Sequence, residues 1–146
     1  MSNDLRRIRE AMVQLWNSGD ENIARQIYAD DTARYDPNNP EPIRGWAGIA
    51  AYVAEVRNAY PDFHLELSEL VVEGSLFASH WTCTGTHKGE FRGIPPTGKH
   101  ITIRGMTLAR VENGKIVEDR VYFDRLAMME QLGVPAESMR IRRATW

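Results

Sequence analysis

The chain has 146 residues, of which 42% are hydrophobic and 26% are charged, and its formal net charge is -2. This size fits one domain with a substantial core, and the composition is typical of a soluble globular protein. The weak negative charge argues against a nucleic-acid binder, and we interpret Arg140, Arg142 and Arg143 as part of a solvated tail. No apolar run reaches the ~18 residues of a membrane span. The N-terminus lacks a signal-peptide pattern, and the single cysteine, Cys83, excludes an intramolecular disulfide, so we expect a cytoplasmic protein.

Three helices are predicted in the N-terminal part of the chain. Apolar residues recur at helical spacing after Asp4, which predicts a capped helix that begins near Leu5. Asp20 is predicted to cap a second, short helix that reaches Tyr28. A third helix is predicted over residues 46–58.

The segment between the second and third helices is predicted to be mostly irregular. Residues 29–31 are expected to break the second helix, and residues 32–35 form a short strand. The proline-rich stretch 36–42 is typical of a surface loop.

The second half of the chain is predicted to form four consecutive strands. Their apolar and polar residues alternate, and turn signals separate them. The predicted strands are 63–72, 76–86, 101–111 and 116–123. Asp124 then caps a final helix that ends at Leu132 before Gly133. This order predicts an α+β domain in which a cone-shaped, curved antiparallel sheet carries the N-terminal helices on its concave face.

The stretch from Gly85 to Lys99 lies between two of these strands. It contains four glycines and the pair Pro95-Pro96, so it forms an irregular connection. We expect it at the mouth of a cavity that the strands and helices enclose. Its one imidazole, His87, is therefore a candidate for chemistry.

Six short motifs, in this order along the chain, resemble the SnoaL-like polyketide cyclase family of the nuclear-transport-factor-two-like superfamily. The motifs are Trp16-Asn17-Ser18-Gly19-Asp20, Tyr60-Pro61-Asp62-Phe63, Gly85-Thr86-His87-Lys88-Gly89, Gly93-Ile94-Pro95-Pro96-Thr97-Gly98, Gly114-Lys115-Ile116 and Gln131-Leu132-Gly133. The resemblance implies a single domain over residues 1–146, with a core at about 5–134 and a tail at 135–146. It also implies a ligand pocket, a homodimer packed through the sheet, and no metal or organic cofactor.

The resemblance further implies an intramolecular aldol ring closure on a polyketide ester. In the family, a carboxylic acid on the last strand and a histidine on the preceding strand carry out this chemistry. The two positions correspond to Val121 and Thr107 in this sequence. Valine cannot transfer a proton and a threonine hydroxyl is a poor base near neutral pH, so this chain departs from the family pattern.

Two titratable residues remain as catalytic candidates. Alternation along the last strand places Asp119 on the same face as Val121, and a carboxyl group in an apolar cavity can exchange protons near neutral pH. Alternatively, Asp119 lies at a solvated rim. His87 is either a general acid or base at the pocket mouth or a buried anchor of the loop.

Several polar and aromatic residues are candidates for substrate binding, with core packing or turn formation as the alternative. They are Tyr35, Asp36, Trp16, Tyr52, Trp81, Thr107, Val121 and Phe123. The four histidines show no metal-ligand spacing. The Asp-Arg-Asp set of epoxide-opening enzymes with this fold cannot be assembled from the sequence, because Val121 interrupts the expected place.

These residues lead to two hypotheses of function. The first is a cofactor-independent enzyme of the cyclase, isomerase or hydratase type, which acts on a polyketide-like or other carbonyl compound in a hydrophobic pocket. The second is a non-catalytic module that binds a lipophilic or polycyclic ligand as a dimer. The loss of the expected acid at Val121 favours the second.

Overall fold

The computed structural model describes residues 2–135 of the chain. From residue 136 onward, the predicted tail and its arginine cluster lie outside the described residues.

The described residues contain four helices and a six-stranded sheet, as an α+β cone fold requires. The helices are α1 (Ser2–Ser18), α2 (Glu21–Ile27), α3 (Gly45–Ala59) and α4 (Arg125–Leu132). The strands are β1 (Tyr28–Tyr35), β2 (Ile43–Arg44), β3 (His64–Glu73), β4 (Leu76–Thr86), β5 (His100–Glu112) and β6 (Lys115–Phe123). The predicted α+β class is confirmed, and β3 to β6 follow the predicted meander.

Helix caps agree with the sequence at two of the three predicted positions. Asp20 accepts a hydrogen bond from the Asn22 N–H at the start of α2. Asp124 accepts one from the Ala127 N–H, and α4 ends at Gly133 with φ 73°. The prediction for Asp4 is wrong, because α1 already begins at Ser2 and Asp4 lies in its first turn.

The sheet is mixed, which corrects the expectation of a purely antiparallel one. Its strand order is β2-β1-β6-β5-β4-β3, and β1 runs parallel to β6. Pairing with β6 also lengthens β1: it begins at Tyr28, opposite Ile116, and includes residues 29–31, which were predicted to be a break. The first and last strands of the chain therefore lie side by side.

The two faces of the sheet differ in their surroundings. Along β5, Ile101, Ile103, Thr107 and Ala109 are buried, whereas Arg104, Met106 and Leu108 are exposed. Helix α1 packs against β3, α3 against β1 and α4 against β5. The core and the cavity described below lie between these helices and the inner face.

Candidate functional site

A cavity of about 120 Å³ lies between the inner face of the sheet and helices α1 and α3, and its wall is mostly apolar. Six of the predicted binding residues line it: Trp16, Tyr52, Trp81, Thr107, Val121 and Phe123. Within residues 2–135, no carboxylate and no imidazole lines the cavity. Arg34 is the buried charged residue on its wall.

Arg34 is held by two carboxylates at the junction of β1 and β6. Its Nε donates to Asp36 Oδ2 at 3.1 Å, and its Nη1 donates to Asp119 Oδ2 at 3.2 Å. The guanidinium carbon lies 5.2 Å from the ring centre of Trp16 and 5.6 Å from that of Tyr52. Within the described residues, Nη2 makes no hydrogen bond. The cation is therefore fixed in place and keeps donor capacity for a ligand.

Asp36 combines two roles at this site. Its Oδ1 accepts from the Asn38 N–H at 2.8 Å, as expected for a turn opened by aspartate, and the Asn39 amide donates to both carboxylate oxygens. Asn38 in turn donates to the Tyr52 hydroxyl at 3.2 Å. The proline-rich loop thus holds the carboxylate that orients Arg34.

Asp119 lies behind the cavity wall, at the centre of the sheet. It is opposite Arg34 in the parallel register and is fully buried. Its Oδ2 also accepts from the Tyr28 hydroxyl at 3.2 Å, whereas its Oδ1 has no hydrogen-bond partner. The solvated rim position considered for Asp119 is thus ruled out by its burial, and the residue meets the cavity through Arg34.

Asp36, Arg34 and Asp119 form an Asp-Arg-Asp arrangement, which corrects the expectation that this chain could not assemble one. The prediction considered only the last strands, where Val121 stands. The arrangement is instead built across β1 and β6, because their parallel pairing brings Arg34 beside Asp119.

Burial and charge act in opposite directions on this cluster. Burial raises the pKa of Asp119 above its ordinary value, and the neighbouring Arg34 only partly opposes this. Burial acts to lower the pKa of Arg34, but the Asp119 and Asp36 carboxylates outweigh it and raise that pKa. Burial, with Asp36 nearby, also raises the pKa of Tyr52. Arg34 is therefore a permanent cation and Tyr52 remains a neutral hydrogen-bonding group.

The two positions predicted to correspond to the family's catalytic acid and histidine are apolar or already bonded here. Val121 is 2% exposed and contributes only its isopropyl group to the wall. The Thr107 hydroxyl accepts from Trp81 Nε1 at 3.0 Å. Gly105 makes this arrangement possible, because a Cβ there would lie 2.4 Å from the Trp81 indole.

His87 is buried at the start of the loop and does not line the cavity. Its Nδ1 accepts from the Thr97 N–H at 3.2 Å, and its ring stacks on Tyr60 with 5.3 Å between the centroids. Burial lowers the pKa of His87, and a contact with the Gly89 backbone opposes this effect. The geometry favours the anchor over the general acid or base.

Tyr35 points away from the cavity, since it alternates with Arg34 and Asp36 along the chain. The guanidinium of Arg120 lies 5.3 Å from its ring centre. The structure thus places Tyr35 outside the group of predicted residues that it brings together at the cavity.

Sequence reasoning missed two arginines on the cavity wall, Arg34 and Arg9. For Arg34, a signal was present: Asp36 follows two residues later, just after β1, and a buried arginine requires such a partner. For Arg9, the sequence offered no such signal, because an arginine on an amphipathic helix is usually solvated.

Two kinds of feature are not found in the described residues. No group of three or more His, Cys, Asp or Glu side chains in residues 2–135 is arranged to hold a metal ion. No helix in the same range is long and apolar enough to cross a membrane.

The family model for SnoaL-like polyketide cyclases matches residues 6–132. This chain belongs to that family. Among characterised members, it is 31% identical over 130 residues to the aklanonic acid methyl ester cyclase DnrD of Streptomyces peucetius, which covers 85% of this chain and 87% of the relative. It is 32% identical over 99 residues to the cyclase DauD of Streptomyces sp. (strain C5), across 67% of this chain and 61% of the relative.

A solved structure shows the same SnoaL-like architecture. TsrD from Streptomyces laurentii superposes with a TM-score of 0.82 at 25% identity, over 91% of this chain and 97% of that one. The fold implied by the six motifs is therefore confirmed.

Proposed function

We propose that this chain is a cofactor-independent enzyme that binds a polyketide-like or other carbonyl compound in the cavity. The reaction is acid/base chemistry of the cyclase, isomerase or hydratase type. One observation carries the proposal: the apolar cavity presents a guanidinium, Arg34, that two buried carboxylates hold in place. The similarity to two aklanonic acid methyl ester cyclases supports a polyketide-derived carbonyl compound as the substrate class.

Arg34 is assigned to the carbonyl oxygen of the substrate. Removing a proton next to a carbonyl places negative charge on that oxygen, and a fixed cation in an apolar site stabilises this charge without reorganisation. Nη2 is available for this bond, while Nε and Nη1 remain on Asp36 and Asp119. The flat rings of Trp16 and Tyr52 beside Arg34 suit a planar substrate.

Asp119 remains the candidate proton acceptor within this proposal. Its raised pKa favours proton exchange closer to neutral pH, and Oδ1 is unoccupied. For Asp119 to contact the substrate directly, the cavity wall beside Arg34 must move aside by a small displacement. Without that displacement, Asp119 acts only by positioning Arg34.

The test compares variants on aklanonic acid methyl ester and on simpler aryl ketones. Arg34→Met is expected to lower kcat/KM by a factor on the order of 10², as for other removed oxyanion donors. Arg44→Met, which changes an exposed arginine on β2, is the control and should stay within about twofold of wild type. Asp119→Asn should lower kcat if Asp119 takes the proton. Arg34→Met turnover equal to wild type would overturn the proposal.

The second candidate function is non-catalytic binding of a lipophilic ligand. The bonded Thr107 hydroxyl and the apolar Val121, at the positions where the family has its histidine and acid, favour it. Saturable binding of a flat aromatic ketone with no turnover of any substrate in the same screen would select this function.

We also propose that the working unit is a homodimer joined through the outer face of the sheet, in the cytoplasm. Exposed apolar side chains on that face support the dimer. The single cysteine, Cys83, fits a reducing compartment.

A further inference from the structure

A second cation, Arg9, reaches the cavity wall from helix α1. Its Nε donates to Ser79 Oγ at 2.7 Å, and its Nη2 donates to the carbonyls of Ser68 and Glu69 at 3.0 and 3.1 Å. Nη1 makes no hydrogen bond within the described residues. Uncharged partners thus hold the guanidinium in position, and Nη1 remains available as a donor.

The two cavity arginines differ in how their charge is compensated. Arg34 has two carboxylates within hydrogen-bond distance, whereas Arg9 has no carboxylate partner within residues 2–135. Burial and the nearby Arg6 lower the pKa of Arg9, and Glu10 opposes them only partly. A partly buried cation without a counter-ion gains more from an anion than one that is already paired.

We propose that Arg9 binds an ionised carboxylate of the ligand, at the opposite end of the cavity from the carbonyl bound by Arg34. This inference rests on the proposed function, since it names the substrate class of the same cavity. Arg9 precedes Trp16 by seven residues on α1, which corresponds to about 10 Å along the helix axis. Arg34 lies over Trp16.

The ligand is accordingly an elongated acid with a carbonyl group at the far end. The same cavity wall carries apolar side chains such as Met12, Leu65 and Phe77, which suit a flat hydrocarbon body. Two carboxylates and one guanidinium leave a net negative charge around Arg34, which disfavours binding of the acid group at that end of the cavity. This chain would therefore prefer a free acid where the named relatives take a methyl ester.

The inference is tested by titration calorimetry at pH 7.5 with anthraquinone-2-carboxylic acid and its methyl ester. Wild type is expected to bind the acid about tenfold more tightly than the methyl ester, because the carboxylate forms a charge-assisted hydrogen bond with Arg9. Arg9→Met should abolish the preference and leave the affinity for the ester unchanged within about twofold. Arg9→Lys should keep part of the preference.

Two further variants separate recognition from the structural role of Arg9. Ser79→Ala removes one of the bonds that hold Arg9 but keeps the cation, so the ratio of acid to ester affinity should persist. Arg6→Met, an exposed neighbour on α1, should also keep the ratio. A ratio that persists in Arg9→Met, or that Arg6→Met lowers equally, overturns the inference.

The controls also distinguish this inference from the proposed function. Arg34→Met should weaken the acid and the ester alike. Equal binding of both compounds by wild type overturns the role of Arg9 and leaves the proposed function standing. Binding of neither compound overturns both. Acid-selective binding that depends on Arg9, with no turnover of any substrate, supports the role of Arg9 and contradicts the enzyme.

Discussion

Asp119 carries an electrostatic cost that a change of pH can reveal. The residue is fully buried, and only one of its two carboxylate oxygens is hydrogen-bonded. Because burial raises its pKa, the folded state binds a proton more tightly than the unfolded chain. Its contribution to stability is therefore most favourable at low pH and declines as pH rises from the ordinary value near 3.8 through the raised pKa.

Asp119→Asn should remove this part of the pH dependence. Asparagine mimics the protonated acid, so the free energy of unfolding of the variant should rise relative to wild type across that window and then level off. The change amounts to about 1.4 kcal/mol for each unit by which the folded pKa exceeds the unfolded one. Urea unfolding at a series of pH values above pH 4 measures it. Asp31→Asn, which changes an exposed carboxylate on β1, is the control and should follow the pH dependence of wild type. If the stability curve of Asp119→Asn ran parallel to that of wild type, the expectation would be refuted.

At the level of single residues, the sequence predicted which face of the sheet a side chain occupies better than which residues it contacts. Alternation correctly placed Asp119, Val121 and Phe123 on the inner face, because the side-chain period of a strand is a local property. For Arg34, the nearby Asp36 was a local signal, but its second partner, Asp119, lies 85 residues away and comes close only after folding. Long-range ion pairs leave no mark in a local pattern.

A clamp around His87 closes the base of the loop between β4 and β5. The His87 N–H donates to the Lys99 carbonyl at 2.8 Å, and the Gly98 N–H donates to the His87 carbonyl at 2.9 Å. The His87 ring adds its bonds to Thr97 and its stacking on Tyr60. These bonds close the neck of the loop. Further along it, the Lys88 and Gly89 N–H groups donate to the Ala59 carbonyl at 3.0 Å, and Arg92 pairs with Glu55.

His87→Ala is expected to lower the free energy of unfolding by roughly 2–4 kcal/mol, because a buried ring and its hydrogen bonds are lost. Cleavage between residues 88 and 98 in limited proteolysis should become faster. His100→Ala, an exposed histidine at the other end of the loop, should change stability by less than about 0.5 kcal/mol. A His87→Ala variant of wild-type stability but without turnover would instead assign His87 to the chemistry.

Strand β5 is shaped around the Trp81 indole. A Cβ at residue 105 would lie 2.4 Å from the indole and 2.7 Å from the Tyr122 carbonyl. Gly105→Ala should therefore displace Trp81, break its bond to Thr107 and cost on the order of 1–3 kcal/mol. Chemical denaturation measures the cost. Gly48→Ala, in helix α3, should cost clearly less, because a Cβ there would meet only the Ile43 methyl group at 3.1 Å and the helix gains propensity. Equal effects of the two variants would show that Trp81 is not confined by Gly105.

Strands joined by short turns were predicted well, whereas the length and direction of β1 were not. Turns at Gly74 and Gly114 leave the strands that they join little choice but antiparallel pairing, so the pairs β3–β4 and β5–β6 followed from the sequence. Strand β1 and its neighbour β6 are far apart in the sequence, with most of the chain between them. No local signal decides its direction, and packing of the whole sheet makes it parallel.

The whole molecule leaves an apolar area on the outer face of the sheet. Val71, Met106, Leu108 and Tyr122 are between 41% and 66% exposed. Val71 and Leu108 belong to one row of paired residues across β3, β4 and β5, and Met106 is opposite Tyr122. Such a surface is typical of an interface, which supports the proposed homodimer.

Leu108→Glu should weaken the dimer at least tenfold, because it buries an unpaired carboxylate at the interface. Sedimentation velocity at micromolar concentrations measures the effect. Leu126→Glu, which changes an exposed leucine on α4 instead, should keep the dimer. A wild type that sediments as a monomer at these concentrations would refute the dimer.

The parallel pairing of β1 with β6 sets an order of assembly during protein synthesis. Arg34 and Asp36 leave the ribosome early, but Asp119 follows 85 residues behind Arg34, a delay of several seconds at typical rates of translation. Helices α1 to α3 and the first strands of the meander can pack in that interval, whereas the charged cluster cannot close. We expect chains stalled before residue 119 to lack ligand binding, which arrested nascent chains would show. We therefore expect the cavity to acquire its charged cluster only late in synthesis.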